Sequence, residues 1–160
     1  MKQIICIFLL MACSSLSSQE NEINEITLLA GIGTYHISEN PVHNNDNHIV
    51  GLLYNRWFIT QYENSHKGES WGLGYALGNW QYLPNPDSPF MFRTRIWTGV
   101  ATGYGDRLLI HWGPLTFAFL PEVSTEIELT DNWSTGYSGI YIWTDAGGVW
   151  VNGIQLSYRY

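Results

Sequence analysis

Residues 148–160 read Gly148-Val149-Trp150-Val151-Asn152-Gly153-Ile154-Gln155-Leu156-Ser157-Tyr158-Arg159-Tyr160. Taken by twos, one set is Trp150, Asn152, Ile154, Leu156, Tyr158 and Tyr160. The other is Val149, Val151, Gly153, Gln155, Ser157 and Arg159. Successive side chains of a strand point to opposite faces. The stretch therefore builds a strand with an apolar face that turns aromatic at its end, and a largely polar second face. A strand of a membrane barrel needs an apolar outer face with aromatic residues at the interfaces. An amphipathic strand of a soluble sandwich would alternate too, so the rest of the chain has to separate the two.

Composition narrows the choice. The chain has 160 residues, of which 45% are hydrophobic, 15% aromatic and only 13% charged. Aromatics this plentiful with charge this sparse exclude disorder. Beyond the N-terminus there is no apolar run long enough for a transmembrane helix, which excludes a helical bundle. A soluble domain of this size ordinarily carries about a quarter charged residues. The formal net charge is -7, with 7 Lys and Arg together, so nucleic acid is not an expected partner.

The N-terminus reads as a secretory leader over 1–18. Lys2 precedes the apolar run 4–12, and small polar residues follow. Residues 19–25 form a short acidic lead-in, and 26–160 a single domain. Both cysteines, Cys6 and Cys13, fall in the leader, so the mature domain has no disulfide. Leu10-Met11-Ala12-Cys13 also resembles a lipobox, which would leave Cys13 as a lipidated N-terminus.

Short runs of Val, Ile, Thr, Trp, Tyr and Phe recur between Gly, Pro, Asn and Asp. They predict strands at 26–37, 48–55, 57–63, 71–81, 91–103, 115–129, 136–143 and 148–160. The turns at Asn55-Arg56, 84–89 and 130–132 fall on one rim. The longer connections 38–47, 64–70 and 104–113 fall on the other, and the short loop 145–147 breaks the pattern. The fold expected is all-β: an eight-stranded antiparallel up-and-down barrel of outer-membrane type. A terminal aromatic, Tyr160, resembles a bacterial outer-membrane assembly signal, so the assembly machinery is an expected partner.

Two strands speak of the interior. In one, Trp71, Leu73, Tyr75 and Leu77 alternate with Gly72, Gly74, Ala76 and Gly78. Large residues outward would grip lipid, and small residues inward would leave room for an acyl chain. The alternative is tight packing against bulky residues from across the barrel. In the other, Arg93 and Arg95 alternate on one face and are candidates for a polar plug.

His43 and His48 flank an Asn/Asp loop with no strong ligand spacing, so no metal and no cofactor are expected. His111 beside Trp112 suits a membrane interface. His36 closes the first strand, at the rim that also carries Tyr62-Glu63-Asn64-Ser65-His66. His36 and Ser65 brought together would form an acyl-transfer pair, with Asn64 or Glu63 orienting the imidazole. Solvated loop residues are the plain alternative.

These motifs resemble a family. Thr34-Tyr35-His36 after a Gly-rich first strand, and Gly51-Leu52 in the second, resemble the lipid A palmitoyltransferase (PagP) family. Tyr62-Glu63-Asn64-Ser65 is similar to its aromatic-x-Asp-Ser segment. Pro114-Leu115 and Leu120-Pro121-Glu122 are similar to its sixth strand, and 148–160 to its last. The likeness spans 26–160 and is nearer the family's bacterial and phage relatives, which share His, then Asn/Gly-Leu, then Tyr-x-Asn-Ser.

The resemblance implies a monomeric outer-membrane acyltransferase that moves a phospholipid acyl chain to lipid A or a related lipid. It implies catalytic His36 and Ser65, Asn64 in place of an Asp, and a lateral gate at Pro114 and Pro121. Asn64 is a departure, because an amide cannot stabilise an imidazolium as a carboxylate does. Two other readings stay open: a non-catalytic outer-membrane barrel for surface interaction, and a soluble periplasmic lipid-binding barrel.

Overall fold

The computed structural model describes residues 24–37, 48–64, 67–103, 111–144 and 147–160. Their strands are β1 (Glu25–His36), β2 (Ile49–Tyr54), β3 (Trp57–Glu63), β4 (Glu69–Tyr82), β5 (Phe90–Ala101), β6 (His111–Trp112), β7 (Leu115–Glu128), β8 (Trp133–Thr144) and β9 (Gly147–Arg159). All pairings are antiparallel, in the order β5-β4-β3-β2-β1-β9-β8-β7-β6, and β5 pairs back onto β7. The eight long strands thus close into an up-and-down barrel, and two-residue β6 is a spur on β7. Closure gives every stave two neighbours, the one way a sheet satisfies its backbone within hydrocarbon.

The leader 1–18 and lead-in residues 19–23 lie outside the described residues. The lead-in ends earlier than expected. Glu25 opens β1 opposite Arg159, and its side chain is buried in the lumen. β8 starts at Trp133 rather than at 136, because Trp133-Ser134-Thr135 already alternates outward and inward.

The faces sort by chemistry. Leu28, Val50, Leu73, Phe119, Ile154 and Leu156 are exposed on the outside. Aromatics ring both ends of this surface: Tyr54, Trp57, Tyr82 and Trp133 at the rim of the chain termini, and Tyr35, Trp71 and Trp143 at the other. Inside, Thr27, Ser134, Ser138, Ser157 and Glu126 are buried. Polar groups within an apolar skin reverse a soluble protein and are the signature of a barrel spanning a membrane.

Asn152 is a polar residue of the outer face, and its side chain accepts a hydrogen bond from the Tyr137 hydroxyl. At the rim of the termini, Asn55 turns the β2–β3 hairpin with φ 55°. Its Oδ1 accepts from the Glu25 N–H at 3.0 Å.

Candidate functional site

The half of the lumen nearest the termini is filled by charge. Arg93, 2% exposed, donates from both terminal nitrogens to Glu25, at 2.6 and 2.9 Å. Its Nε stands 3.2 Å from Glu126. Arg95 lies 3.5 Å from Glu122, 3.7 Å from Glu25 and 3.8 Å from Glu126. Arg159 adds a third cation, 3.6 Å from Glu25 and 2.8 Å from Glu128 at the rim. Thr27 donates to Glu25 at 2.9 Å, and Ser134 to Glu126 at 3.0 Å. Glu25, Glu122 and Glu126 inside, with Glu128 at the rim, thus face Arg93, Arg95 and Arg159. The fork-to-fork Arg93–Glu25 pair is the geometry in which a buried ion pair recovers most of its desolvation cost.

Above the charges lies an apolar layer of Leu53, Ala76 and Trp97, with Leu29, Phe58 and Leu120 packed on it. Phe58 and Trp97 meet edge to face at 5.0 Å. Trp97 joins the layers, its indole N–H donating to Glu122 at 2.5 Å.

The small-residue stripe is placed in part as expected. Gly72, Gly74 and Ala76 face inward and Trp71, Leu73 and Leu77 outward. Gly78 is a correction. The ladder shifts between Ala76 and Gly78, which puts Gly78 opposite outward Ile96 and Asn79 opposite lumenal Arg95. One inserted residue reverses the facing of everything beyond it, and the Trp80 ring then covers Gly78. The room at Gly74 is also taken, because a Cβ there would strike the Phe58 ring and stand 2.6 Å from the Thr98 carbonyl oxygen. Gly74→Ala therefore destabilises the barrel by about 1–3 kcal/mol, read as a lower urea midpoint in micelles. An unchanged midpoint would mean that Phe58 yields without cost.

The far rim carries the other sequence candidates. Thr34 is buried and Tyr35 exposed, so alternation turns the half-buried His36 toward the lumen. His36 stands opposite Val149, and Val149 opposite Ile142. Asn64 is buried just beyond β3, at the same rim as His36 with β2 between their strands. It donates to Ser70 and to the Gly103 carbonyl, and accepts from the Gly68 N–H. Ser65, His66 and His43 lie outside the described residues, as does the His111 side chain.

Pro121 marks a break in the wall. The β7–β8 ladder ends at Glu122 opposite Ile140, one residue short of Pro121, which has no N–H to donate. Beyond it, among the described strands, 141–144 of β8 pair only with β9 and 117–121 of β7 only with β5, while Thr116 pairs with both β5 and the β6 spur. Pro114, with Gly113 at φ 60°, turns the chain from β6 into β7. Among the described residues no three His, Cys, Asp or Glu side chains group to hold a metal ion.

The charge network was only half visible in the sequence. Arg93 and Arg95 signalled it, but Glu25, Glu122, Glu126 and Arg159 did not. The alternation Glu122, Ser124, Glu126 was the signal that could have found two of them.

No protein-family model matches the sequence, and no curated relative matches it. Among solved structures the chain is similar to Neisserial surface protein A, at 12% identity, over 85% of this chain and 96% of that one, with a TM-score of 0.48. It is similar to the N-terminal β-barrel domain of Pseudomonas aeruginosa OprF, at 10% identity, over 88% and 100%, with a TM-score of 0.48. It is also similar to the outer-membrane enzyme PagL, at 12% identity, over 85% and 99%, with a TM-score of 0.46. The chain's own closed strand order, apolar exterior and polar lumen make it an eight-stranded β-barrel of outer-membrane type.

Proposed function

We propose that this barrel sits in the bacterial outer membrane and moves an acyl chain from a phospholipid to lipid A or a related lipid, at the rim carrying His36. The observation that carries the proposal is the inner row His36, Val149, Ile142. Ile142 belongs to the stretch of β8 that has parted from β7. An apolar row thus runs from a break in the wall to an imidazole. An acyl ester needs that combination, an apolar path for its tail and a base beside its carbonyl. The charge layer supports the reading by closing the opposite end to water-soluble substrates.

The His36 imidazole takes the proton from the attacking hydroxyl, which belongs to the acceptor lipid or to Ser65. That oxygen bonds to the ester carbonyl carbon, the ester C–O bond breaks, and the lysophospholipid leaves with the proton. In the Ser65 route the acceptor hydroxyl repeats the exchange on the serine ester. The reaction needs no cofactor.

The test is mass spectrometry of lipid A from cells with and without the protein. One added acyl chain is expected, and it is lost in His36→Ala and Ser65→Ala barrels that still reach the membrane. Identical lipid profiles with and without the wild-type chain would sink the proposal.

A non-catalytic surface barrel is the second reading, and the lumenal Arg/Glu network favours it, since a plugged interior suits a scaffold. Unchanged lipid A would leave it standing. The soluble lipid-binding reading fits poorly with Val50, Ile154 and Leu156 exposed outside.

A further inference from the structure

We infer that Asn64 is a positioning residue whose side-chain amide locks the β3–β4 connection onto the end of β5, a task a carboxylate cannot perform. Asn64 is 1% exposed. Its Nδ2 donates to Ser70 Oγ and to the Gly103 carbonyl, each at 3.0 Å. Its Oδ1 accepts from the Gly68 N–H at 3.0 Å. The backbone closes the same turn, with the Asn64 N–H donating to the Gly68 carbonyl at 2.8 Å and the Lys67 N–H to the Asn64 carbonyl at 2.9 Å.

Gly103 is shaped for its part. Its φ is +88°, and a Cβ would strike the Ser70 hydroxyl and come within 3.0 Å of Asn64 Nδ2. A second tie runs beside the first. The Trp71 N–H donates to Thr102 Oγ1 at 3.0 Å, and the Thr102 N–H to the Trp71 carbonyl at 2.9 Å. Three strand ends, those of β3, β4 and β5, are thereby gathered at the His36 rim.

The chemistry of the side chain is specified, not only its shape. An amide offers both a donor and an acceptor, and each is used here. An isosteric carboxylate keeps the bond from Gly68 and loses the donor to Gly103. It then sets one oxygen against another at the distance of a hydrogen bond, inside a buried site. Ser65 follows Asn64 directly in the chain, so the lock would act on acyl transfer through the rim and not by touching lipid. That consequence, unlike the lock itself, rests on the acyl-transfer reading.

The experiment compares wild type, Asn64→Asp, Gly103→Ala and His36→Ala as full barrels in detergent micelles. Lys67 is exposed but held in the turn at φ 63° with its N–H on the Asn64 carbonyl, so trypsin cleavage after it is expected to rise as the turn opens. Both lock variants should be cut there roughly tenfold faster than wild type, the scale of a net hydrogen bond or two, while still migrating as folded barrels on unheated gels. Cleavage of Asn64→Asp at the wild-type rate overturns the lock. In acyl-transfer assays, Asn64→Asp should lower kcat with the donor KM unchanged. A kcat equal to or above wild type would overturn the lock's effect on acyl transfer, whereas cleavage at Lys67 decides the lock itself. If wild type itself transfers no acyl chain, the acyl-transfer reading fails, and cleavage at Lys67 still decides the lock.

Discussion

Arg93→Ala destabilises the barrel by about 3–5 kcal/mol, the usual result of removing one partner from a buried ion pair. The truncated side chain holds two carboxylates at once. Its terminal nitrogens grip Glu25 at 2.6 and 2.9 Å, and its Nε faces Glu126 at 3.2 Å. Without it, Glu25 keeps Arg95 at 3.7 Å and Arg159 at 3.6 Å, neither in a forked geometry. The loss is therefore of geometry as well as charge. It reads out as a lower temperature at which the folded band disappears on gels, and as a lower urea midpoint. Adding Glu25→Gln to Arg93→Met should cost less than the two changes summed, because each alone strands the other's charge. Strict additivity would show that the pair is not coupled. A stability loss under about 1 kcal/mol for Arg93→Ala, the range of an exposed pair, would show that water reaches this layer.

Ile154→Arg should cost about 2–4 kcal/mol, the penalty of a cation at the middle of the lipid-facing band. Ile154 lies on β9 midway between Tyr158 and Trp150, and it is exposed outward. Its neighbours across the ladders are Ala30 and Tyr137, neither of which offers a counter-charge. The same change at Tyr160, at the rim, should cost no more than about 1 kcal/mol. The comparison is by folding yield into phospholipid vesicles and by urea midpoint there. Equal costs at the two positions would mean that no hydrocarbon band crosses β9. This is the most direct check that the apolar skin meets lipid.

Much of this architecture was legible because alternation is local. The last strand predicted an outer Ile154 and Leu156 with an inner Gln155 and Ser157, and they lie so. The polar intruder on its outer face, Asn152, needed Tyr137 from the next strand to make sense. The turn at Asn55-Arg56 and the wall break beside Pro121 follow from backbone limits that single residues impose.

The stripe shows where local reasoning stops. Strict alternation carried Gly78 into the lumen, but a bulge is a property of a pair of strands, and it moved Gly78 outside. The space beside Gly74 depended on Phe58, a residue of a different strand. Asn64 was legible as a rim residue but not as a lock, since Gly103 comes to it from 39 positions along the chain.

The sequence alone therefore determined the class of fold, the strand count and the outward face, because a period of two and an aromatic-bounded apolar band are written residue by residue. Only the tertiary structure decided what fills the lumen. Glu25, assigned from sequence to an acidic lead-in, meets Arg93 from 68 positions away. Which side chains face each other across a barrel depends on the stagger of all its ladders and on every bulge. No single strand carries that information.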